Sequence, residues 1–160
     1  MSAEYSVVIP QTVDANQPIV FQNAPCPCGE GLIFKKSGGV FLLASNAPRG
    51  NSCPCGCGCR RIYETKYEAE VHLNVETPEG GTPGAIRFAI LVDGVIDPAS
   101  VMSYTSTAVE TPGNLGTSII VSVPSICGCE SVAVVNIGTD SVTVLNASLV
   151  FDYAGVQRVR

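Results

Sequence analysis

The fold is decided by residues 61–76, RIYETKYEAEVHLNVE, because the second half of this stretch alternates between apolar and polar side chains. Apolar residues occupy every second position from Tyr67 to Val75. The positions that follow each of them are polar: Glu68, Glu70, His72, Asn74 and Glu76. A period of two residues places the two sets on opposite faces of a β-strand. The stretch therefore predicts a long strand with one buried and one exposed face.

Turn-forming residues separate further apolar runs on both sides of this strand. Residues 86–92 meet residues 95–96 across Asp93-Gly94, a pair that tolerates positive φ and favours a two-residue hairpin. The sequence also predicts hairpins within residues 31–43 and 131–151. Shorter runs predict strands at 7–10, 19–22, 99–105 and 117–123. About ten short strands with no helical period predict an all-β antiparallel jelly-roll sandwich.

The composition indicates a chain that hides part of its surface in an assembly. The 160 residues suffice for one domain. Charged residues make up 14% of them, against about 25% in an average globular protein. The mean hydropathy is +0.30. Because burial of apolar strand faces around a threefold axis would account for both values, we expect a homotrimer.

Charge and apolar runs exclude several kinds of partner. The net charge is −5 and the nine basic residues are scattered, so nucleic-acid binding, which needs a clustered positive face, is not expected. No apolar run approaches the roughly 20 residues of a membrane span. The first basic residue is Lys35, so no secretory signal peptide is predicted, and we expect synthesis in the cytoplasm.

The domain boundaries predicted from the sequence leave a short segment outside the jelly roll. Residues 1–16 include the apolar run Val7-Val8-Ile9 without a turn partner nearby, and we expect them to form an extended arm. Such an arm would pair by strand addition with a neighbouring subunit or with the surface of a larger assembly. Residues 17–160 are predicted to form one jelly-roll domain, with residues 44–60 inserted as a Cys-rich loop.

The order of these segments resembles a known family. Residues 86–102, IRFAILVDGVIDPASVM, and 114–151, NLGTSIIVSVPSICGCESVAVVNIGTDSVTVLNASLVF, are similar to the trimeric jelly roll related to tumour necrosis factor and complement heads. Related domains form the C-terminal ends of collagen-like proteins on bacterial spore surfaces. Residues 11–45, QTVDANQPIVFQNAPCPCGEGLIFKKSGGVFLLAS, resemble more closely the stand-alone virion proteins of phages that infect gut Firmicutes.

This resemblance implies a non-enzymatic virion protein, either a trimer that decorates the capsid or a head fibre. The implied partners are further copies of the chain, the major capsid protein or another virion protein, and a host-surface glycan. The location implied is the capsid surface. A trimeric surface domain of a spore or cell coat is the alternative, which the absence of a Gly-X-Y stalk from the sequence makes weaker.

Eight cysteines occur in three groups, each with Cys-x-Cys spacing: Cys26 and Cys28; Cys53, Cys55, Cys57 and Cys59; Cys127 and Cys129. A disulfide within such a pair would be strained, and zinc sites favour wider spacing. If the strands at 61–76 and 117–123 are antiparallel neighbours, the second and third groups lie at the same end. We expect disulfides between these six cysteines or a thiolate site for zinc, with reduced loop cysteines as the third interpretation. The first pair follows a different strand and is expected to lie apart.

The sequence provides little for catalysis. His72 is the only histidine, so a Ser-His-Asp or Cys-His device would have to use it, and its place in the alternation predicts an exposed strand position. Asp93 and Asp97 are interpreted as turn residues, because they lack the alternating oxygen ligands of a calcium loop. A small metal-dependent enzyme built on the cysteines would lack a visible general base. We therefore expect no catalytic residues and no resident cofactor other than zinc.

Overall fold

The computed structural model describes residues 2–26, 32–47, 63–125 and 129–159, which form two antiparallel sheets packed face to face. Sheet 1 has the strand order β10-β6-β12-β1-β3, and β2 pairs with the beginning of β12. Its strands are β1 Ser2–Val7, β2 Gln11–Val13, β3 Asn23–Cys26, β6 Tyr63–Glu76, β10 Gly113–Pro124 and β12 Val142–Arg158.

Sheet 2 has the strand order β4-β5-β11-β7-β8, and β9 pairs with the first half of β7. Its strands are β4 Ile33–Lys35, β5 Val40–Ala44, β7 Ala85–Val92, β8 Val95–Ile96, β9 Met102–Thr105 and β11 Cys129–Asn136. Two short 3-10 turns, Ser37–Gly39 and Pro98–Ser100, are the only helical elements in the described ranges. No helix among these residues is long enough and apolar enough to span a membrane.

The alternation of the longest predicted strand is confirmed. β6 pairs with β10 along one side and with β12 along the other, and its inward side chains from Tyr67 to Val75 are buried. An aromatic cluster in the core joins the two sheets. Phe41 of sheet 2 lies 4.6 Å from Tyr5 and 5.4 Å from Phe151 of sheet 1, measured between ring centroids. Rings at such distances add about 0.5–1.5 kcal/mol per pair to the free energy gained by burial.

Two of the three predicted hairpins are present. β4 pairs with β5, and β7 pairs with β8 across Asp93 and Gly94, whose φ values of 49° and 76° are those that this tight turn requires. The third prediction is wrong: β11 lies in sheet 2 and β12 in sheet 1. The residues between them carry the chain from one sheet to the other.

Three short strands differ from their predicted positions. The predicted strand at 7–10 is the end of β1 followed by an irregular segment, and the predicted strand at 19–22 is an irregular stretch before β3. Its backbone bonds partly to other backbone groups, since the amides of Ile19 and Gln22 donate to the carbonyls of Val134 and Ser6, and partly to side chains. Gln22 exchanges two hydrogen bonds of 3.1 Å with the backbone of Ile9, and Gln11 exchanges bonds of 2.7 and 3.0 Å with Val20. Amide side chains therefore replace part of a strand ladder, which periodicity alone does not reveal. At 99–105 a 3-10 turn precedes the short strand β9.

The N-terminal segment does not form an extended arm. Residues 2–7 are β1, which lies between β12 and β3 within sheet 1. Ala3, Tyr5 and Val7 are buried in the core, so this segment contributes to the hydrophobic core of the domain. The alternation of these three residues is the sequence signal for a paired strand. The predicted boundary at residue 16 therefore does not separate an arm from the fold, and the predicted insertion at 44–60 lies largely outside the described residues.

We expect the protein to require its N-terminal strand for stability. Tyr5→Ala should lower the free energy of unfolding by about 3 kcal/mol or more, because it leaves a cavity between Phe41 and Phe151. Glu4→Ala on the exposed side of the same strand is the matched control and should change it by less than about 0.5 kcal/mol. Denaturant unfolding followed by circular dichroism measures both. Equal midpoints for Tyr5→Ala and the unaltered protein would show that β1 is dispensable.

Candidate functional site

The beginning of β6 and the end of β10 lie side by side at one end of sheet 1. Pro124 is opposite Glu64, and the amide of Ser125 donates a 3.0 Å hydrogen bond to the carbonyl of Tyr63. The premise that these strands are antiparallel neighbours is therefore confirmed. The described residues that flank 48–62 and 126–128 on this sheet lie together.

Sheet 2 ends at the same place. Cys129 pairs with Ala44, and the amide of Ala44 donates a 2.7 Å hydrogen bond to the carbonyl of Leu32. The hydroxyl of Tyr67 on β6 donates a 2.6 Å bond to the carbonyl of Ala44, which ties the two sheets. We call this region, formed by the ends of β5 and β10 and the beginnings of β4, β6 and β11, the cysteine end.

Cys26 belongs to a strand that runs toward the cysteine end. β3 is antiparallel to β1, with Cys26 opposite Glu4, and the chain is next described at Leu32 beside Ala44. The pair thus follows a different strand, as expected, although this strand runs toward the same end; that Cys26 and Cys28 lie apart from the other cysteines stays a prediction, because Cys28 lies outside the described residues. Cys129 is exposed and forms no disulfide with another described residue. The other predicted site cysteines, Cys53, Cys55, Cys57, Cys59 and Cys127, lie outside the described residues, as does Cys28.

A pair of carboxyl groups lies beside Cys129. Asp93 in the β7–β8 turn accepts a 2.7 Å hydrogen bond from the amide of Ser131, and its own amide donates to the Ser131 carbonyl at 2.9 Å. Glu130 hydrogen-bonds to the Asp93 carboxylate. This bond, with burial and the charge of Asp93, raises the pKa of Glu130 to about 7. The same bond and that from the Ser131 backbone lower the pKa of Asp93. The two acids therefore share one proton near neutral pH.

The outer face of sheet 1 is acidic. Because β6 buries every second residue, the intervening glutamates point outward, and acids on β1 and β12 join them: Glu4, Glu64, Glu68, Glu70, Glu76 and Asp152. His72 is on this face, as predicted, with its Nε2 atom 2.8 Å from an oxygen of Glu70. No Ser or Cys side chain is bonded to His72 among the described residues. The position therefore does not carry a nucleophile–base pair.

A serine–lysine contact on this face has no counterpart in any local sequence pattern. Lys66 Nζ donates to Ser122 Oγ at 2.5 Å and to Glu64 Oε2 at 2.7 Å. The three side chains belong to adjacent strands, so only the pairing of β6 with β10 brings them together. An ammonium group that donates to both partners serves as a cross-strand tie rather than as a base for Ser122.

Cavities lie on one face and at one end of the described sandwich. One, of about 400 Å³, lies on the face of sheet 1 where Asn114, Asn74 and Asn146 stand opposite one another on three adjacent strands. Asn74 Nδ2 donates to Asn114 Oδ1 at 3.1 Å, while Asn74 Oδ1 has no hydrogen-bond partner among the described residues. The other, of about 290 Å³, lies at the end of the sandwich opposite the cysteine end, between residues 77–86 and 136–142.

The buried amide beside the second cavity has a structural role. Asn136 is fully buried; its Nδ2 atom donates to the carbonyls of Val13 and Asp140, and its Oδ1 atom accepts from the amide of Gly138. These three bonds fix the connection between the two sheets and leave little hydrogen-bonding capacity for a ligand. A polar residue that ends an apolar run, as in VAVVN, is the sequence signal for such a role.

Comparison with known proteins identifies the fold and nothing finer. No protein-family model and no curated protein matches the sequence. The structure of Eiger TNF from S. frugiperda superposes on this chain with a TM-score of 0.58 at 10% identity, over 100% of this chain and 96% of that chain. A family 35 carbohydrate-binding module from Clostridium thermocellum reaches a TM-score of 0.36 at 14% identity, over 93% of this chain and 97% of its own. The first likeness is enough to assign a TNF-like jelly roll, which confirms the predicted fold class. Such a fold is compatible with a trimeric structural or binding domain.

The shared proton at the cysteine end predicts pH-dependent stability. Between its ordinary pKa of 4.5 and the folded value of about 7, Glu130 holds a proton that the unfolded chain releases, so stability falls as pH rises through this window. The melting temperature should therefore be higher at pH 5 than at pH 8, by a few degrees at most because Glu130 is partly exposed. Glu130→Gln should flatten this slope, and Glu4→Gln on the exposed side of β1 should not. Equal slopes for Glu130→Gln and the unaltered protein would exclude the shared proton.

Proposed function

We propose that the chain is a non-enzymatic structural protein of a virion: a homotrimer that decorates the capsid surface or forms a head fibre. The observation that carries this proposal is a TNF-like jelly roll, spanning the chain, whose polar contacts serve the fold. Asn136, the serine–lysine tie and the Asp93–Glu130 pair each hold strands or turns together. The resemblance of residues 11–45 to phage virion proteins supports a location on the capsid surface.

The low charge of the chain supports assembly. Charged residues make up only 14% of the chain, and six of them are acids on one sheet face. Large exposed apolar areas on a folded chain usually mark contacts with other protein. The partners in this proposal are two further copies and the major capsid protein. A host-surface glycan is a further candidate for the amide-lined cavity on sheet 1.

The cysteine end is the second part of the proposal. Cys53, Cys55, Cys57, Cys59, Cys127 and Cys129 join the loops at this end by disulfides formed outside the cell or by a bound zinc ion. The contacts between Tyr63 and Ser125 and between Ala44 and Cys129 support it, because they bring the flanks of both cysteine-bearing segments together. The cross-links would order segments with few apolar residues of their own, and each disulfide contributes about 2–4 kcal/mol.

The trimer and its location can be tested together. Light scattering at low micromolar concentration should give three times the chain mass of 16.6 kDa. Antibodies against the chain should label purified phage particles, and spores of the host provide the control for the coat alternative. A stable monomer, or labelling of spores but not of particles, would contradict the proposal.

Replacement of Cys53, Cys55, Cys57 and Cys59 by Ser tests the role of the cysteine end. The melting temperature should fall by several degrees. Loss of the cross-links raises the conformational entropy of the unfolded chain and leaves the loop unconstrained in the folded protein. The trimer should persist. Mass spectrometry of the non-reduced protein, with bound ions retained, separates the two chemistries: paired thiols indicate disulfides and an added ion indicates zinc. Eight free thiols together with an unchanged melting temperature would contradict both.

A further inference from the structure

A patch of amide, hydroxyl and imidazole groups interrupts the acidic outer face of sheet 1. It consists of two adjacent rows of outward side chains, to which the strands β10, β6, β12 and β1 contribute. Three asparagine amides form the first row, and one imidazole and two serine hydroxyls form the second. Together they line the cavity of about 400 Å³ on this face. We call this cavity the amide pocket and define it by Asn114, Asn74, Asn146, His72, Ser148 and Ser6.

A β-bulge in β12 places the third amide in the pocket. Val144 is opposite Val75, but the next paired residue of β12 is Asn146, opposite Asn74, so Leu145 is an extra residue. In an uninterrupted ladder Leu145 would stand opposite Asn74, and Asn146 would point toward the core. The bulge therefore turns Asn146 outward. Bulges that redirect a side chain in this way are over-represented beside active sites.

The central amide of the pocket has a polar atom to spare. Asn74 Nδ2 donates to Asn114 Oδ1, whereas Asn74 Oδ1 is buried and has no partner among the described residues. Exchange of the two terminal atoms of Asn74 would only replace this orphaned acceptor by an orphaned donor. A buried polar atom without a partner destabilises a fold. Because the terminal torsion of asparagine is soft, the amide can turn toward the cavity and bond to a ligand there.

Carboxylates bracket the amide pocket. The row beyond the hydroxyls carries Glu70 on β6 and Glu4 on β1. On the other side of the pocket the next outward residue of β6 is Glu76. Glu70 also holds His72, whose Nε2 atom lies 2.8 Å from its Oε1 atom. The negative charge around the pocket disfavours an anionic ligand, since like charges that are brought together repel.

The chemistry of the pocket matches a neutral saccharide. Each amide presents donors and an acceptor, and each hydroxyl is both, so these side chains complement a ligand that carries several hydroxyl groups. Sites for Ca²⁺ and Mg²⁺ include carboxylate ligands, and none lines this cavity among the described residues. An apolar ligand would leave the amides without partners. The volume of about 400 Å³ lies within the range of roughly 300–1,000 Å³ that is common for small-molecule sites.

We propose that the amide pocket binds a neutral saccharide through hydrogen bonds between its amide and hydroxyl side chains and the hydroxyl groups of the sugar. The inference rests on the proposed function in that it specifies the glycan contact named there. A single saccharide is held weakly, with a Kd on the order of 1 mM, because each hydrogen bond replaces one with water. Copies held together in one particle bind a surface with many glycans much more tightly.

NMR of the asparagine side-chain amides tests this binding. The probes are lactose, maltose, mannobiose and chitobiose at up to about 20 mM, well above the expected Kd, and N-acetylneuraminic acid is the anionic comparison. At least one neutral disaccharide should shift the amide signals of the pocket in a saturable way, and N-acetylneuraminic acid should not. Asn114→Ala and Asn146→Ala should each weaken the binding about tenfold, because each removes hydrogen bonds to the sugar.

Gln157→Ala is the matched control, because Gln157 is an exposed amide of β12 at the other end of the same sheet, opposite Glu64. It should leave the saccharide affinity unchanged, and circular dichroism should show every variant folded. The absence of a saturable shift with all four disaccharides would overturn the inference. So would Asn114→Ala and Asn146→Ala variants that bind as the unaltered protein does. Variants that change the mass in light scattering and not the saccharide affinity would show that this patch contacts protein, which also overturns it.

This inference and the proposed assembly fail in different ways. A trimer that labels on phage particles and binds none of the disaccharides contradicts only the amide pocket. A monomer, or a protein that is absent from the particles, contradicts only the proposed assembly if it binds a saccharide with the expected effects of the two asparagine variants.

Discussion

The strict alternation of β6, with β10 on one side and β12 on the other, is the constraint on which the structure depends. A shift of one residue would turn Tyr67, Val71 and Val75 to the solvent and bury glutamates, so a single register is allowed. That register fixes the orientation of both neighbouring strands. It also decides that one face of sheet 1 joins the core and that the other carries six carboxylates. The position of the cysteine end follows from the same register, because β6 begins where β10 ends.

Local patterns in the sequence predict those parts of the fold that local physics controls. The period of two in β6, the Asp93-Gly94 turn and the apolar runs of β7 and β11 are each specified by residues close in the chain. The assignment of β11 and β12 to different sheets is not specified by nearby residues. A turn of Gly and Asp suits a hairpin and a crossing between sheets equally well. The place of β1 depends on β12, which lies more than 140 residues further along the chain. The alternation of β1 can be recognised in the sequence, but its pairing with β12 cannot.

The candidate sites show the same division. The exposed position of His72 and the turn role of Asp93 follow from their immediate neighbours. The contacts of Lys66 with Ser122 and of Glu130 with Asp93 join distant segments, and only the sheet topology reveals them.

The fold rests on the single register of β6 between β10 and β12. Amide hydrogen exchange followed by NMR measures this pairing most directly. Slow exchange is expected for the amides of β6 from Tyr67 to Val75, and fast exchange for the loop at Glu79 and Gly80. Exchange along β6 that is as fast as in this loop would contradict the pairing.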